Sequence, residues 1–245
     1  HWFSIWELFL IVWGIGFLTG VYLSIRQYHQ LKKVIISQGK ELTDNKEIGE
    51  CLEKICLQKN KRNSFKVYQC PVIKVPMVFG FRNPSILLPE EVGLDNQQLY
   101  FILYHEMMHH FNHDLYIQMI IELLSILYWW NPACRVLKKQ IHILLEMRVD
   151  DEVINQNPEE TSAYLECLLY LVKNYSKNIS LPEHMMGFIN DNSTLIKRFE
   201  MLTDSKAGRK KRLPGAGIIV FSIIVYMSSY LLIFEANYCS QEVLD

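Results

Sequence analysis

The sequence predicts an α+β protein that is mainly helical, with a small β-sheet and with a transmembrane helix on each side of the folded part. Half of the 245 residues are hydrophobic, and the excess lies in two long apolar stretches near the ends. Runs of β-branched and aromatic residues, separated by prolines, occur in residues 65–89. Other segments repeat apolar residues at helical spacing.

Residues 1–25 are predicted to form the first transmembrane helix, because residues 5–25 are apolar apart from Glu7. A secretion signal is disfavoured, since no small-residue cleavage site follows and the sequence does not begin with Met. We therefore interpret the chain as a fragment of a longer protein. Gly16 and Gly20 permit a close helix contact, although glycines that are merely tolerated in a membrane helix explain them equally well.

Residues 215–234 carry no charge and predict the second transmembrane helix. The tail of residues 235–245 contains acidic but no basic residues. Cations flank the inner ends of both spans, namely Arg26, Lys32, Lys33 and Lys40, and Arg209, Lys210, Lys211 and Arg212. The positive-inside rule then places the intervening region in the cytoplasm and both chain ends outside the cell membrane.

The formal net charge of −1 argues against direct nucleic-acid binding. The basic residues 209–212 are expected to contact lipid headgroups, and a homodimer is a further candidate assembly. Because paired Cys-x-x-Cys spacings are absent, the cysteines of the predicted cytoplasmic region are interpreted as reduced thiols: Cys51, Cys56, Cys70, Cys134 and Cys167.

Residues 26–64 predict a cytoplasmic connecting helix, and residues 65–203 predict the catalytic domain. That domain begins with four strand-like runs, Phe65–Gln69, Val72–Val75, Met77–Phe81 and Ser85–Leu88. The sequence does not identify the edge strand that would pair with an extended substrate. Residues 204–214 predict a basic linker, and self-cleavage within it is a hypothesis.

A helix containing His105, Glu106 and His109 has the His-Glu-x-x-His pattern of zinc hydrolases. The two histidines lie one turn apart and face the same side, so both can bind one cation. Glu106 is offset from that side and suits a general base for a water molecule activated by zinc. Asp95 and Gln98 predict a capping box at the start of this helix.

A zinc site needs a third protein ligand. The metzincin pattern fails, because Asn112 and Leu115 occupy the positions of its glycine and third histidine. His110 and His113 are nearby, but His110 points away from the metal-facing side and His113 lies one turn further along. Glu146 is the preferred candidate.

The helix of Glu146 is predicted to begin with Asn131 as its cap and Pro132 at the first helical position. It is expected to bury Val136, Leu137, Ile141 and Leu144. Asp150, one turn after Glu146, can accept a hydrogen bond from a ligating imidazole. A solvated acidic face is the alternative interpretation of both carboxylates.

Three further helices are predicted. Leu115–Trp130 is nearly all apolar and is expected to be buried in the domain or to lie at the bilayer surface. A helix capped at Asn157-Pro158 runs through Tyr164 and Leu168, and the last contains Leu195, Phe199 and Leu202. Arg198 on this last helix is a candidate for stabilising the transition state or Glu146, with an exposed helical arginine as the alternative.

The motifs together resemble the membrane-embedded gluzincin peptidases of the BlaR/MecR family, receptor proteases that lift repression of antibiotic-resistance genes. In chain order they are Pro76, Gly80, Pro84 and Ile86-Leu87-Leu88-Pro89; His105-Glu106-x-x-His109 with Asp114; Trp130-Asn131-Pro132; Glu146-x-x-x-Asp150-Asp151; and Lys197-Arg198-Phe199. The family carries a cysteine where this chain has Val149, so any role of that thiol is absent. The resemblance implies that His105, His109 and Glu146 bind Zn²⁺ and that Glu106 is catalytic.

The function implied by the resemblance is a membrane-bound zinc endopeptidase that transduces a signal with a cytoplasmic active site. Its expected substrate is a protein or peptide, either a transcriptional repressor or its own linker. A constitutive HtpX-like quality-control protease is one alternative. A non-catalytic transducer that keeps the zinc site for structure is the other.

Overall fold

The computed structural model describes residues 5–73, 75–90, 95–177 and 198, which belong to one compact unit, residues 1–203. The fold is mainly helical with a small mixed sheet, as the sequence predicts. The predicted linker 204–214, second membrane helix 215–234 and tail 235–245 lie outside the described residues. The elements in chain order are α1 (Ile5–Gln38), β1 (Lys40–Glu41), α2 (Lys46–Gln58), β2 (Lys66–Cys70), β3 (Met77–Phe79), β4 (Ser85–Pro89), α3 (Asn96–Phe111), α4 (Asp114–Leu127), α5 (Pro132–Gln156), a 3-10 turn (Pro158–Glu160) and α6 (Thr161–Lys177).

Helix α1 is longer than the predicted membrane helix and continues past Ile25 to Gln38. Among the described helices it is the one that is long and apolar enough to cross a membrane, over Trp6–Gln38. Its last turns pack against the sheet, where Leu31 and Ile35 are buried beside Cys70 and Leu87. The same helix therefore joins the apolar N-terminal segment to the folded domain.

The sheet has the strand order β1-β2-β4-β3, with β2 parallel to β4 and β3 antiparallel to β4. Strand β3 is thus an edge of the sheet formed by these four strands. The predicted strand Val72–Val75 is wrong, because the chain turns after Cys70, where Ile73 N–H donates to the Cys70 carbonyl at 3.2 Å. Strand β1 was not predicted, because its two residues, which pair with Gln69 and Tyr68, show no alternation of apolar and polar side chains.

The main core surrounds α3, which is buried on nearly every side from Tyr100 to His109. Helix α2 contributes Ile55, α5 contributes Val149, and α6 contributes Leu168. Burying each such side chain contributes about 1.5–3 kcal/mol, so the helix that carries the histidines is fixed by packing on several sides. The five described cysteines are free thiols, as predicted.

The predicted burial on α5 is wrong, and the predicted cap at Asn157 is confirmed in part. Val136, Leu137 and Leu144 of α5 are 40–45% exposed, and the residues that α5 buries are Ile143, Leu145, Glu146, Val149, Asp150 and Val153. Periodicity identifies an apolar face but does not say what covers it. Asn157 is the N-cap residue of the 3-10 turn that leads into α6 and Pro158 follows it, as predicted, but the Asn157 side chain makes no capping bond and its Nδ2 donates backwards to the Val153 carbonyl at 3.5 Å.

Helix α4 is not buried within the domain, since one side of it is exposed and apolar: Tyr116, Met119, Ile120, Leu123 and Leu124. Its C-terminal end packs against α1. The Trp13 indole N–H donates to the Leu127 carbonyl at 3.1 Å. A Cβ added to Gly16 would lie 2.3 Å from Trp129 Cε2. The close helix contact expected at Gly16 is therefore made within the chain.

Candidate metal centre

Helix α3 presents His105 and His109 on one face. The predicted capping box starts this helix, with Gln98 N–H donating to Asp95 Oδ1 at 2.7 Å and Asp95 N–H donating to Gln98 Oε1 at 3.3 Å. One turn of helix separates the two histidines, and their Nε2 atoms lie 3.1 Å apart. Both side chains are buried.

Glu146 reaches this pair from α5, which begins with Asn131 as its cap and Pro132 at its first position, as predicted. Its Oε2 lies 3.3 Å from His105 Nε2, and its Oε1 lies 3.5 Å from His109 Nε2. One ligand atom from each residue can be chosen so that all lie within 4.8 Å of one another. In a tetrahedral zinc site with bonds of 2.0–2.1 Å, ligand atoms are roughly 3.4 Å apart.

The chemistry of these three side chains fits a cation. Each histidine turns its Nδ1 toward a carboxylate, which favours the tautomer with a lone pair on Nε2. Two such lone pairs and a buried carboxylate oxygen would repel one another unless a positive charge lay between them. Glu146 Oε1 lies 3.5 Å from His109 Nε2 and faces the same space. A divalent metal satisfies all three groups.

Asp114 holds the ring of His109. Its Oδ2 lies 2.8 Å from His109 Nδ1, its Oδ1 is ion-paired with Arg148, and its side chain is fully buried. The turn that brings Asp114 back to His109 includes His113 in the left-handed conformation with φ 61°. The sequence analysis noted Asp114 only as part of a family motif and assigned it no role.

His105 is held by a pair of groups from α5 and α6. Its Nδ1 lies 3.1 Å from the Tyr164 hydroxyl and 3.3 Å from Asp150 Oδ1, while Tyr164 donates to the same Asp150 oxygen at 2.5 Å. Asp150 thus lies beside a candidate ligand, where the sequence analysis expected it. Tyr164 was recognised only as a core position of its helix, and a buried tyrosine hydroxyl that needs a partner was the available signal.

Arg198 is buried between the two carboxylates of α5. Its Nε and Nη2 donate to Asp150 at 2.9 and 2.6 Å, and its Nη1 lies 2.9 Å from Glu146 Oε2. Although burial opposes ionisation, Arg198 holds the pKa of Glu146 and of Asp150 well below the usual range. Its neighbours in the family motif, Lys197 and Phe199, lie outside the described residues.

Glu106 is buried next to the first histidine and lines the same cavity as the three candidate ligands. Burial raises the pKa of Glu106, against the opposing effect of His105 and His109. The two other histidines near this motif, His110 and His113, have different surroundings. The His110 ring packs edge-on against Phe65 with centroids 5.2 Å apart, and His113 is the N-cap residue of α4.

A cavity of about 780 Å³ opens beside these groups. Its walls are largely apolar and come from α1, the segment around β3, and helices α3 to α6. Met77, Val78 and Phe79 of the edge strand β3 line it on one side. His142 of α5 also lines it, one turn before Glu146, and burial lowers the pKa of His142.

Comparisons with known proteins agree with this arrangement. A family profile described as BlaR1 peptidase M56 matches residues 1–202. The chain is similar to the methicillin resistance mecR1 protein of Staphylococcus aureus, with 26% identity over 229 residues that cover 91% of this chain and 38% of that protein. It is 30% identical to the regulatory protein BlaR1 of Bacillus licheniformis over 151 residues, which are 60% of this chain and 24% of that protein. The chain spans less than half the length of these relatives.

Proposed function

Because this chain belongs to the BlaR1 peptidase M56 family, we propose that it is a zinc-dependent endopeptidase whose metal is bound by His105, His109 and Glu146. The observation that carries the proposal is the convergence of these three buried side chains, from two helices, on the wall of one cavity. Two imidazoles and one carboxylate form a ligand set of catalytic zinc sites, in which a fourth position stays open.

Each residue around the metal centre then has a task. Bound Zn²⁺ supplies Lewis-acid polarisation of a peptide carbonyl and lowers the pKa of a water molecule. Glu106 takes the proton of that water and passes it to the leaving amine. Asp150 holds the ring of His105 through Nδ1. Arg198 donates to Asp150 and is ion-paired with Glu146, so we assign it to positioning Glu146 and Asp150.

Strand β3 is the proposed binding edge for the substrate backbone. It lies at the edge of the sheet and lines the cavity next to α3. An extended peptide can add to such an edge through main-chain hydrogen bonds, which would hold the scissile carbonyl near the metal ligands.

The biological role that we propose is signal transduction by proteolysis. The relatives carry names that refer to methicillin resistance and to regulation. A transcriptional repressor, or the linker of residues 204–214, would be the substrate. The active site would face the cytoplasm, since cations follow the apolar part of α1, and the exposed apolar side of α4 would contact lipid.

The peptidase proposal is tested with the full chain in lipid nanodiscs and fluorescence-quenched casein as the probe. Cleavage should stop with a zinc chelator and return with added Zn²⁺. Glu106→Gln should lower the cleavage rate by about 10²–10⁴-fold while zinc stays bound. Glu53→Gln, an exposed glutamate of α2, is the matched control and should cleave normally.

The outcomes separate the candidate functions. Bound zinc without any cleavage would favour a non-catalytic transducer. Cleavage that Glu106→Gln leaves unchanged would contradict the proposed role of Glu106. Self-cleavage is tested on a blot, because fragments ending within residues 204–214 should be absent from the Glu106→Gln protein. Cleavage in cells that is the same with and without a β-lactam would favour a constitutive quality-control protease.

A further inference from the structure

One wall of the cavity carries a row of cations that leads to the metal centre. Arg135, Lys138 and Lys139 of α5 line the cavity together with Glu146. Arg135 precedes Lys138 by three residues and Lys139 by four, and Lys139 precedes Glu146 by seven, so these side chains lie along one side of the helix, with Lys138 about 100° from Lys139. We call these three residues the α5 cationic row. His142 lies between the row and Glu146, and burial together with the charge of Lys138 lowers its pKa.

Most of the positive charge of the row is uncompensated. Lys138 is ion-paired with Glu122 of α4. Arg135 donates to the Trp129 main-chain carbonyl at 3.3 Å, which satisfies one N–H, and it makes no ion pair within the described ranges. Lys139 makes no ion pair or hydrogen bond with any residue that the structure describes. Among these residues, the acidic ones that line the cavity are Glu106, Glu122 and Glu146, and two of them belong to the metal centre.

The direction of the row favours a peptide over a lipid as its partner. Leu137 and Leu144 are two of the three exposed apolar residues of α5 named above, and at about 100° per residue they fall on the face opposite Lys139 and Glu146. The third, Val136, lies about 60° from Lys139. A bilayer that covers Leu137 and Leu144 would therefore lie away from the cations. The row instead faces the space that a substrate must occupy to reach the metal centre.

We propose that the α5 cationic row selects substrates with an acidic side chain near the scissile bond. This inference rests on the proposed peptidase function. Lys139 precedes Glu146 by seven residues, or about 10 Å along the helix. An extended peptide advances about 3.3 Å per residue, so Lys139 meets a side chain roughly three residues from the cleaved bond. The basic residues 209–212 of the linker are then disfavoured at this position, and an acidic segment of another protein is the better substrate.

The test uses the zinc-loaded full chain in nanodiscs of neutral phosphatidylcholine and a library of quenched peptides. Each peptide carries Glu, Gln or Lys at one position on either side of the cleaved bond. We expect kcat/KM to be about fivefold higher for Glu than for Lys at one position, the scale of a single solvent-accessible charge pair. Lys139→Glu should reverse the preference, and high salt should weaken it. Lys46→Glu, whose side chain is 89% exposed on α2, should leave it unchanged.

A binding measurement keeps this inference separate from the peptidase proposal. Fluorescein-labelled Glu and Lys peptides are bound to the Glu106→Gln protein and followed by anisotropy. If the Glu peptide binds more tightly than the Lys peptide, and Lys139→Glu abolishes this difference, the proposed selection by the α5 cationic row is supported even if no peptide is cleaved. Cleavage without a charge preference would contradict the proposed selection by the α5 cationic row but would leave the peptidase proposal standing. If Lys139→Glu weakens binding to phosphatidylglycerol vesicles and leaves peptide selectivity unchanged, the α5 cationic row binds lipid. This result would also contradict the proposed selection of acidic substrates.

Discussion

The hydroxyl of Tyr164 lies 2.5 Å from Asp150 Oδ1 and 3.1 Å from His105 Nδ1, and so connects α6 to a candidate metal ligand on α3. Because the hydroxyl donates to Asp150, His105 Nδ1–H can donate to the tyrosine oxygen or to the carboxylate. Either arrangement leaves the Nε2 lone pair of His105 facing the metal site. A residue on a third helix thereby orients a ring that binds metal.

Tyr164→Phe should weaken zinc binding by about tenfold, because the ring of His105 loses its contact with the hydroxyl. The contact of His105 with Asp150, and the hydrogen bond from Arg198 to Asp150, remain. Competition with a fluorescent zinc chelator measures the zinc affinity. Tyr170→Phe, also on α6 and not among the described residues that line the cavity, is the control and should bind zinc like the unmodified chain. Equal affinities for the two variants would show that the Tyr164 hydroxyl does not act on the metal site.

Asp114→Asn should weaken zinc binding by about 10–100-fold. The amide keeps the shape of the side chain but removes the charge that lies 2.8 Å from His109 Nδ1 and pairs with Arg148. Isothermal titration calorimetry of the metal-depleted protein with Zn²⁺ checks the affinity. Asp151→Asn, on an exposed position of α5, is the matched substitution and should leave the affinity unchanged. A normal affinity in Asp114→Asn would refute the role of Asp114.

Gly16→Ala should destabilise the contact between α1 and α4 by about 1–3 kcal/mol, the usual cost of overpacking. The new methyl group would lie 2.3 Å from Trp129 Cε2, so the indole has to move. Gly14→Ala is a close control in the same helix, because its methyl group would meet nothing within 4 Å. Thermal unfolding in detergent compares the two variants. Equal melting temperatures would mean that the glycine is not needed for this contact.

The sequence predicted the parts of the site that depend on local spacing. A one-turn separation brings His105 and His109 together, and the Asp95 capping box and the Asn131-Pro132 start set the helices that carry the site. The structure places Glu146 beside the two histidines, as predicted. Spacing within α3 could not identify Glu146, because it lies on α5, so that prediction depended on a second motif. Spacing within a helix is encoded locally, and periodicity therefore detects it.

The sequence could not predict the parts that depend on tertiary placement. Asp114 reaches His109 because His113 adopts a left-handed conformation that histidine rarely takes. Tyr164 is indistinguishable in sequence from an ordinary core residue. Val136, Leu137 and Leu144 fit a buried helix face, yet the fold leaves that face exposed. The contact of Asp114 depends on a local turn conformation that spacing does not encode. Tyr164 depends on a contact with His105, which is distant in sequence.

The most direct test of the account is the zinc content of the purified full chain, measured by inductively coupled plasma mass spectrometry after dialysis against a weak chelator. We predict one zinc per chain for the unmodified protein and for Glu106→Gln, and a loss of most of the zinc in Glu146→Gln, with the fold retained by circular dichroism. Zinc retained at one equivalent in Glu146→Gln, or an unmodified chain that binds no zinc at all, would contradict a metal centre shared by α3 and α5.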